Sequence, residues 1–184
     1  QAIIRINSQS GKGGVAYVLE RTYGIQMPKG MHPEFGNVVT AMADSQSAEL
    51  NSLQIWETFQ KEYLERREPL ELVDYDIDHK PDDVHRVHMA AKVVYKGGET
   101  VLRGRGNGPI AAFVNALDNA GLKDFHLQHY AQHAITRGSA ADAVSFVEIG
   151  DAGSQRTWWG ASIDSNVENG GLLALVSAFN RSRA

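Results

Sequence analysis

Gly104-Arg105-Gly106-Asn107-Gly108-Pro109-Ile110-Ala111-Ala112-Phe113-Val114-Asn115-Ala116-Leu117 is the stretch whose reading decides the fold. Three alternate glycines follow a β-like run and lead into a helical pattern. Glycine lets another backbone or a ligand come close. Asn107 reads as a helix N-cap, and Pro109 is tolerated in a first helical turn. Ile110, Phe113, Val114 and Leu117 repeat at helical spacing, and Gly121 reads as the stop. A helix start with free N–H groups behind a glycine turn suits an anion such as a carboxylate. The same letters also describe a tight strand-to-helix turn with no ligand. The pattern G-x-G-x-G is not the dinucleotide fingerprint, and no parallel βαβ unit surrounds it. Ser10 to Gly14 resembles part of a phosphate loop, but the earlier glycine is missing and Gly13 stands where Ser or Thr should follow the lysine.

Outward from this stretch, composition sets the bounds. A chain of 184 residues is enough for one domain plus a smaller one. At this size roughly 70% of the unfolded surface can be buried, so no covalent staple is needed. Cysteine is absent, which excludes disulfides and thiolate metal sites. The net charge is -4 and the basic residues are scattered, so no nucleic-acid partner is expected. No apolar run approaches the roughly 18 residues of a membrane span, so no membrane partner is expected either. No signal peptide opens the chain, and a cytoplasmic location is the simplest expectation. The chain begins abruptly at Gln1 in what reads as a strand, as an excised piece of a longer protein would.

Residues 1–68 read as mainly helical. Ile3, Ile4 and Ile6 form a short strand, and Ser10 can cap a helix over roughly 14–22, stopped near Gly24. A second helix is expected from about Glu34 to Ala43. Asn51 with Gln54 makes a capping-type start for a third, which carries Ile55, Trp56, Phe59 and Tyr63 inward. This segment is too small for a generous core and is expected to pack on something else.

Pro69 marks a boundary, and from Leu70 the period changes. Leu72 to Ile77 reads as a strand whose solvated side carries Asp74, Asp76 and Asp78. Val87 to Tyr95 alternates as a second strand, Lys96 to Glu99 is a Gly-Gly hairpin turn, and Thr100 to Arg103 returns. The order then recurs. Phe125 to Thr136 is extended, Arg137 to Ala141 is a loop, and Val144, Phe146 and Ile149 lie on a strand. Thr157, Trp159, Ala161 and Ile163 lie on another, and Asp164 to Asn166 can cap a last helix to about Asn180. The helix from Asn107 to Leu117 can be laid over Asn169 to Phe179 with Asn, Gly, Ala, Val and Ala coinciding. The expectation is an α+β fold: a helical subdomain over 1–68, then two βββα repeats over 69–184 with helices on one face of antiparallel sheets. The bare sheet faces need cover, and a second copy of the chain is the expected cover.

Seven histidines invite a metal reading. His126, His129 and His133 would share a face on a helix, but on a strand His126 and His129 are expected to point to opposite sides. No Asp/Glu pair or nucleophile motif stands in a catalytic frame. Tyr130 reads either as a cross-strand core residue or as a site aromatic.

Asn7-Ser8-Gln9-Ser10-Gly11-Lys12-Gly13-Gly14-Val15-Ala16-Tyr17, Gly104 to Pro109, Tyr130 and His133-Ala134 together resemble the 2-isopropylmalate synthase family in its actinobacterial form. The resemblance covers essentially the whole chain. It implies the second linker subdomain, about 1–68, and the leucine-sensing regulatory domain, about 69–184. It implies a parent enzyme that condenses acetyl-CoA with 2-oxoisovalerate in a (β/α)8 barrel. That barrel and its divalent metal are outside this chain, which carries no catalytic residue, metal site or cofactor of its own and is expected to be inactive alone.

The resemblance further implies L-leucine as allosteric effector, a homodimer, and the barrel as intramolecular partner. It places the leucine pocket at the dimer interface. Gly106, Asn107, Gly108, Ile110 and Ala111 stand at the turn, and Leu127, Tyr130 and Ala134 on the first strand of the second repeat. Ala141 and Ala143 follow on the next loop and strand, and Ile163 on the last strand. Two departures from the family pattern stand out: one extra residue between Gly121 and Tyr130, and Ala140 where relatives often have Asp. Two alternatives remain, an isoleucine sensor of a citramalate synthase and a structural dimerisation module with a degenerate pocket.

Overall fold

The computed structural model of the chain describes residues 12–135 and 141–184. The strand expected at Ile3 to Ile6, the cap at Ser10 and the loop residues up to Ala140 lie outside them. Three helices come first: α1 Lys12–Tyr23, α2 His32–Gln46 and α3 Ser52–Phe59, the last continuing as a π-turn over Gln60–Leu64. The cap of α3 is local chemistry. The Asn51 side chain accepts from the Gln54 N–H while Gln54 accepts from the Asn51 N–H. Ile55, Phe59 and Tyr63 are fully buried, and Trp56 is half-buried with its ring stacked 4.7 Å from that of Tyr23.

Two antiparallel three-stranded sheets follow. The first has the order β1 Leu70–His79, β2 Val87–Tyr95, β3 Gly98–Gly106. The hairpin between β2 and β3 turns on Lys96 and Gly97, both at positive φ, and Gly98 already pairs with Tyr95. The second sheet has the order β4 Phe125–Ile135, β5 Asp142–Asp151, β6 Thr157–Asp164. Each sheet is followed by its helix, α4 Pro109–Asn119 and α5 Val167–Arg181. The chain is thus α+β, with two βββα repeats as expected.

The repeats share a detail that the letters hide. The ladder of β1 skips Val73 between Leu72 and Asp74, and that of β4 skips Gln128 between Leu127 and His129. Each is a β-bulge, an extra unpaired residue that resets the alternation of faces. Leu127, opposite Ile149, and Tyr130, opposite Val147, face the same way although three residues apart. His126 and His129, opposite Gly150 and Glu148, also share a face, contrary to the expectation for an unbroken strand.

Two cores result. α4 and α5 lie between the sheets, with Val87, Met89, Ala91 and Val93 of the first and Val147 and Ile149 of the second packed on Phe113, Leu117, Leu175 and Phe179. The other face of the second sheet (Val144, Phe146, Trp159 and Ala161) packs on the helical residues Leu19, Met31, Phe35 and Phe59. The helical segment and one sheet face thus cover each other within one chain. That corrects the expectation that a second copy covers both faces. The outer face of the first sheet, with Asp74, Asp76, Lys92, Arg103 and Arg105, is exposed.

Candidate functional site

The glycines at the end of β3 serve the helix that follows. A Cβ on Gly104 would lie 2.3 Å from the Ala112 carbonyl oxygen and the Ala116 nitrogen, and one on Gly106 would lie 2.5 Å from the Ala112 nitrogen. α4 therefore rests directly on the strand, and no ligand can enter beneath it. Its open end is the N-terminus. Gly108, extended at φ -157 and ψ 177, is the N-cap and supplies no side-chain cap. Asn107 is exposed and is not the cap expected from the sequence, because the extended Gly108 holds that position. Ala112 donates to the Gly108 carbonyl at 2.9 Å, which leaves the N–H groups of Ile110 and Ala111 ahead of the first helical bond.

α5 closes the equivalent end for itself. The Asn166 side chain accepts from the Asn169 N–H at 2.9 Å. Asp164 accepts from the Asn166 N–H and the Asn169 Nδ2, both at 2.8 Å, and Glu168 stands in the first turn. α4 has no acidic residue in its first turn. Of the two repeated helix starts, only that of α4 is open to an anion, by charge and by capping.

β4 supplies an apolar wall. Leu127 and Tyr130 are 40% and 42% exposed, unusual for large apolar side chains on a face turned towards a helix layer. Ala134 is on that face too, opposite Ala143, which pairs in turn with Asp164. Tyr130 meets α4 and α5 at one point: a Cβ on Gly171 would touch Ile110 Cδ1 at 3.1 Å and the Tyr130 hydroxyl at 3.4 Å. The Tyr130 hydroxyl donates to Gln132 Oε1, and partial burial pushes its pKa up. Ser145, on the same face opposite Gln132, is fully buried.

The structure brings together Ile110 and Tyr130, and places Leu127, Ala134 and Ala143 on the face they share with Tyr130. Gly106, Asn107, Gly108 and Ala111 surround the start of α4, with Ala111 exposed. Ala141 is exposed just before β5. Ile163 is not among them. It pairs with Val144 on the opposite face of the second sheet and packs on the helical core. Gly171, Gln132 and Ser145 were missed. Two adjacent glycines inside an apolar helix were the available signal for Gly171.

The histidines on the other face of β4 make local contacts. His129 Nδ1 lies 2.6 Å from Glu148 Oε1 and its ring stacks on Trp159, while His133 Nε2 accepts from the Gln26 N–H. Among the described residues no three His, Asp or Glu side chains are grouped so as to hold a metal ion. Nor is any helix among them long and apolar enough to cross a membrane.

Residues 49–183 match the LeuA allosteric (dimerisation) domain. The chain belongs to that family. Residues 1–20 match the alpha-isopropylmalate synthase post-catalytic domain-like family. The chain is similar to the 2-isopropylmalate synthases of Corynebacterium glutamicum, at 38% identity over 98% of this chain and 29% of that protein, and of Clostridium acetobutylicum, at 39% over 100% and 33%. That of Mycobacterium leprae is 37% identical over 98% and 29%. The chain spans about a third of the length of the curated relatives it matches.

Proposed function

We propose that this LeuA domain binds L-leucine and is the feedback sensor of a 2-isopropylmalate synthase, acting as a homodimer. The observation that carries the reading is the pairing of an uncapped, acid-free helix start at α4 with a half-exposed apolar wall at Leu127 and Tyr130. A zwitterion with a branched aliphatic side chain offers the matching pair: a carboxylate for the N–H groups and an isobutyl group for the wall. The wall is too exposed to enclose such a ligand alone. A second copy of the chain is the proposed lid, in keeping with a family described as both allosteric and dimerising. In this reading the condensation of acetyl-CoA with 2-oxoisovalerate belongs to a barrel and a divalent metal elsewhere in the parent enzyme. Leucine at this domain holds that reaction back.

Calorimetry with leucine, isoleucine and valine is the test. Leucine should bind most tightly and raise the melting temperature, with about 2.7 kcal/mol of stabilisation at about a hundred times its Kd. Preference for isoleucine would move the chain to a citramalate synthase. No binding of any of the three at millimolar concentration would leave a structural dimerisation module.

A further inference from the structure

Gly170 and Gly171 stand side by side within α5, although glycine is a poor helix former. Neither is at positive φ, so the backbone does not demand glycine there. Space does. A Cβ on Gly171 would lie 3.1 Å from Ile110 Cδ1 and 3.4 Å from both Cε1 and the hydroxyl of Tyr130. Those atoms are the tips of two side chains from two other elements, α4 and β4. Gly171 is buried where α4, β4 and α5 meet, while Tyr130 is 42% exposed and can yield only towards its open side.

We propose that Gly171 is a positioning residue that sets effector affinity and size preference, by letting Ile110 seat against α5 beside Tyr130. The inference rests on the sensor reading above. An alanine methyl at 171 displaces the Ile110 tip by a few tenths of an ångström, towards the volume that a branched aliphatic ligand would occupy, while Tyr130 stays at ordinary contact distance. The larger the ligand's side chain, the more it loses. Gly153 is the contrast, because it lies in the turn between β5 and β6 and the nearest atom to a Cβ there would be Asp151 Oδ2 at 3.8 Å.

The test uses the 184-residue chain carrying Gly171→Ala or Gly153→Ala. Alanine is the better helix former, so Gly171→Ala should fold with an unchanged or higher melting temperature. Leucine should bind it about fivefold more weakly and valine less than about twofold, while Gly153→Ala keeps the wild-type ratio of the two. In methyl NMR spectra without ligand, the Ile110 Cδ1 resonance should move in Gly171→Ala. A merely structural glycine would change stability and leave the leucine-to-valine ratio alone. Unchanged affinity in Gly171→Ala with wild-type binding intact overturns the inference and spares the sensor reading. An unmoved Ile110 methyl overturns it whatever the ligands do. A wild-type chain that binds neither amino acid overturns both.

Discussion

Gly104 and Gly160 show how one missing carbon fixes an architecture. A Cβ on Gly160 would lie 2.2 Å from the Ala178 nitrogen and 2.3 Å from the Ala174 carbonyl oxygen, much as one on Gly104 would meet Ala116 and Ala112. Helix and strand backbones touch at the same place in both repeats. The obstacles are main-chain atoms, which cannot rotate aside as a side-chain tip can. Gly104→Ala and Gly160→Ala should each cost about 3 kcal/mol, the upper end of overpacking. Gly108→Ala has nothing within 4 Å of the new carbon and should cost under about 1 kcal/mol. Urea denaturation checks all three. Ala111 and Ala112 differ as sharply, since the first is exposed and the second fully buried beneath β3. Ala111→Leu should therefore fold and bind leucine on the order of 5- to 150-fold more weakly by calorimetry. Ala112→Leu should compromise the fold itself.

At the scale of elements, α5 ties the molecule together. Ser177 Oγ donates to the Tyr63 carbonyl, and Asn180 exchanges hydrogen bonds with the backbone of Leu70 at 3.0 and 2.8 Å. Arg181, almost wholly buried, donates to Glu34, to Glu62 at 2.8 Å and to the Trp159 carbonyl at 2.8 Å, and lies 4.4 Å over the Tyr63 ring. Burial holds the Glu34 carboxyl above its ordinary value of 4.5, against the pull of Arg181. A carboxyl whose folded pKa exceeds its unfolded one favours the fold below the ordinary carboxylate range and loses that contribution as pH rises through the folded value. Arg181→Met removes the pull and lifts Glu34 further. Its cost should be about 3–5 kcal/mol at pH 8 and clearly less at pH 5. Urea denaturation at the two pH values decides it, and equal losses would show that Glu34 does not titrate in that window.

What could be read from the letters at this scale was local. The Asn51–Gln54 cap, the periods of α4 and α5 and the helix overlay all lie within one element or its copy. The bulges at Val73 and Gln128 exist only against a partner strand, so the side taken by Tyr130 could be assigned only by resemblance. Ile163 alternates with Trp159 and Ala161, and nothing in that alternation says which of two covered faces it joins. Arg181 and Glu34 are 147 residues apart, and no spacing rule connects them.

For the whole molecule the open question is which surface meets a second copy. Two surfaces compete. The outer face of the first sheet is exposed but studded with Asp74, Asp76, Lys92, Arg103 and Arg105, which water solvates well. The other is β4, an 11-residue edge strand exposed over most of its length, with Leu127 and Tyr130 uncovered on the side towards the helices. A long edge with apolar side chains invites pairing unless something covers it. An isologous contact there would bury the edge and close the wall beside α4 in both copies at once. Sedimentation at tens of micromolar should accordingly give a dimer, strengthened by leucine because the ligand would sit against the contact. Leu127→Asp or Tyr130→Asp should shift the chain to monomer with its circular dichroism unchanged. Val101→Asp, on the outer face of the first sheet and 49% exposed in wild type, should leave the dimer intact. If Val101→Asp dissociates the chain and the β4 variants do not, the contact lies on the charged face. The apolar wall would then stay open to water, and the proposed leucine pocket would lose its lid.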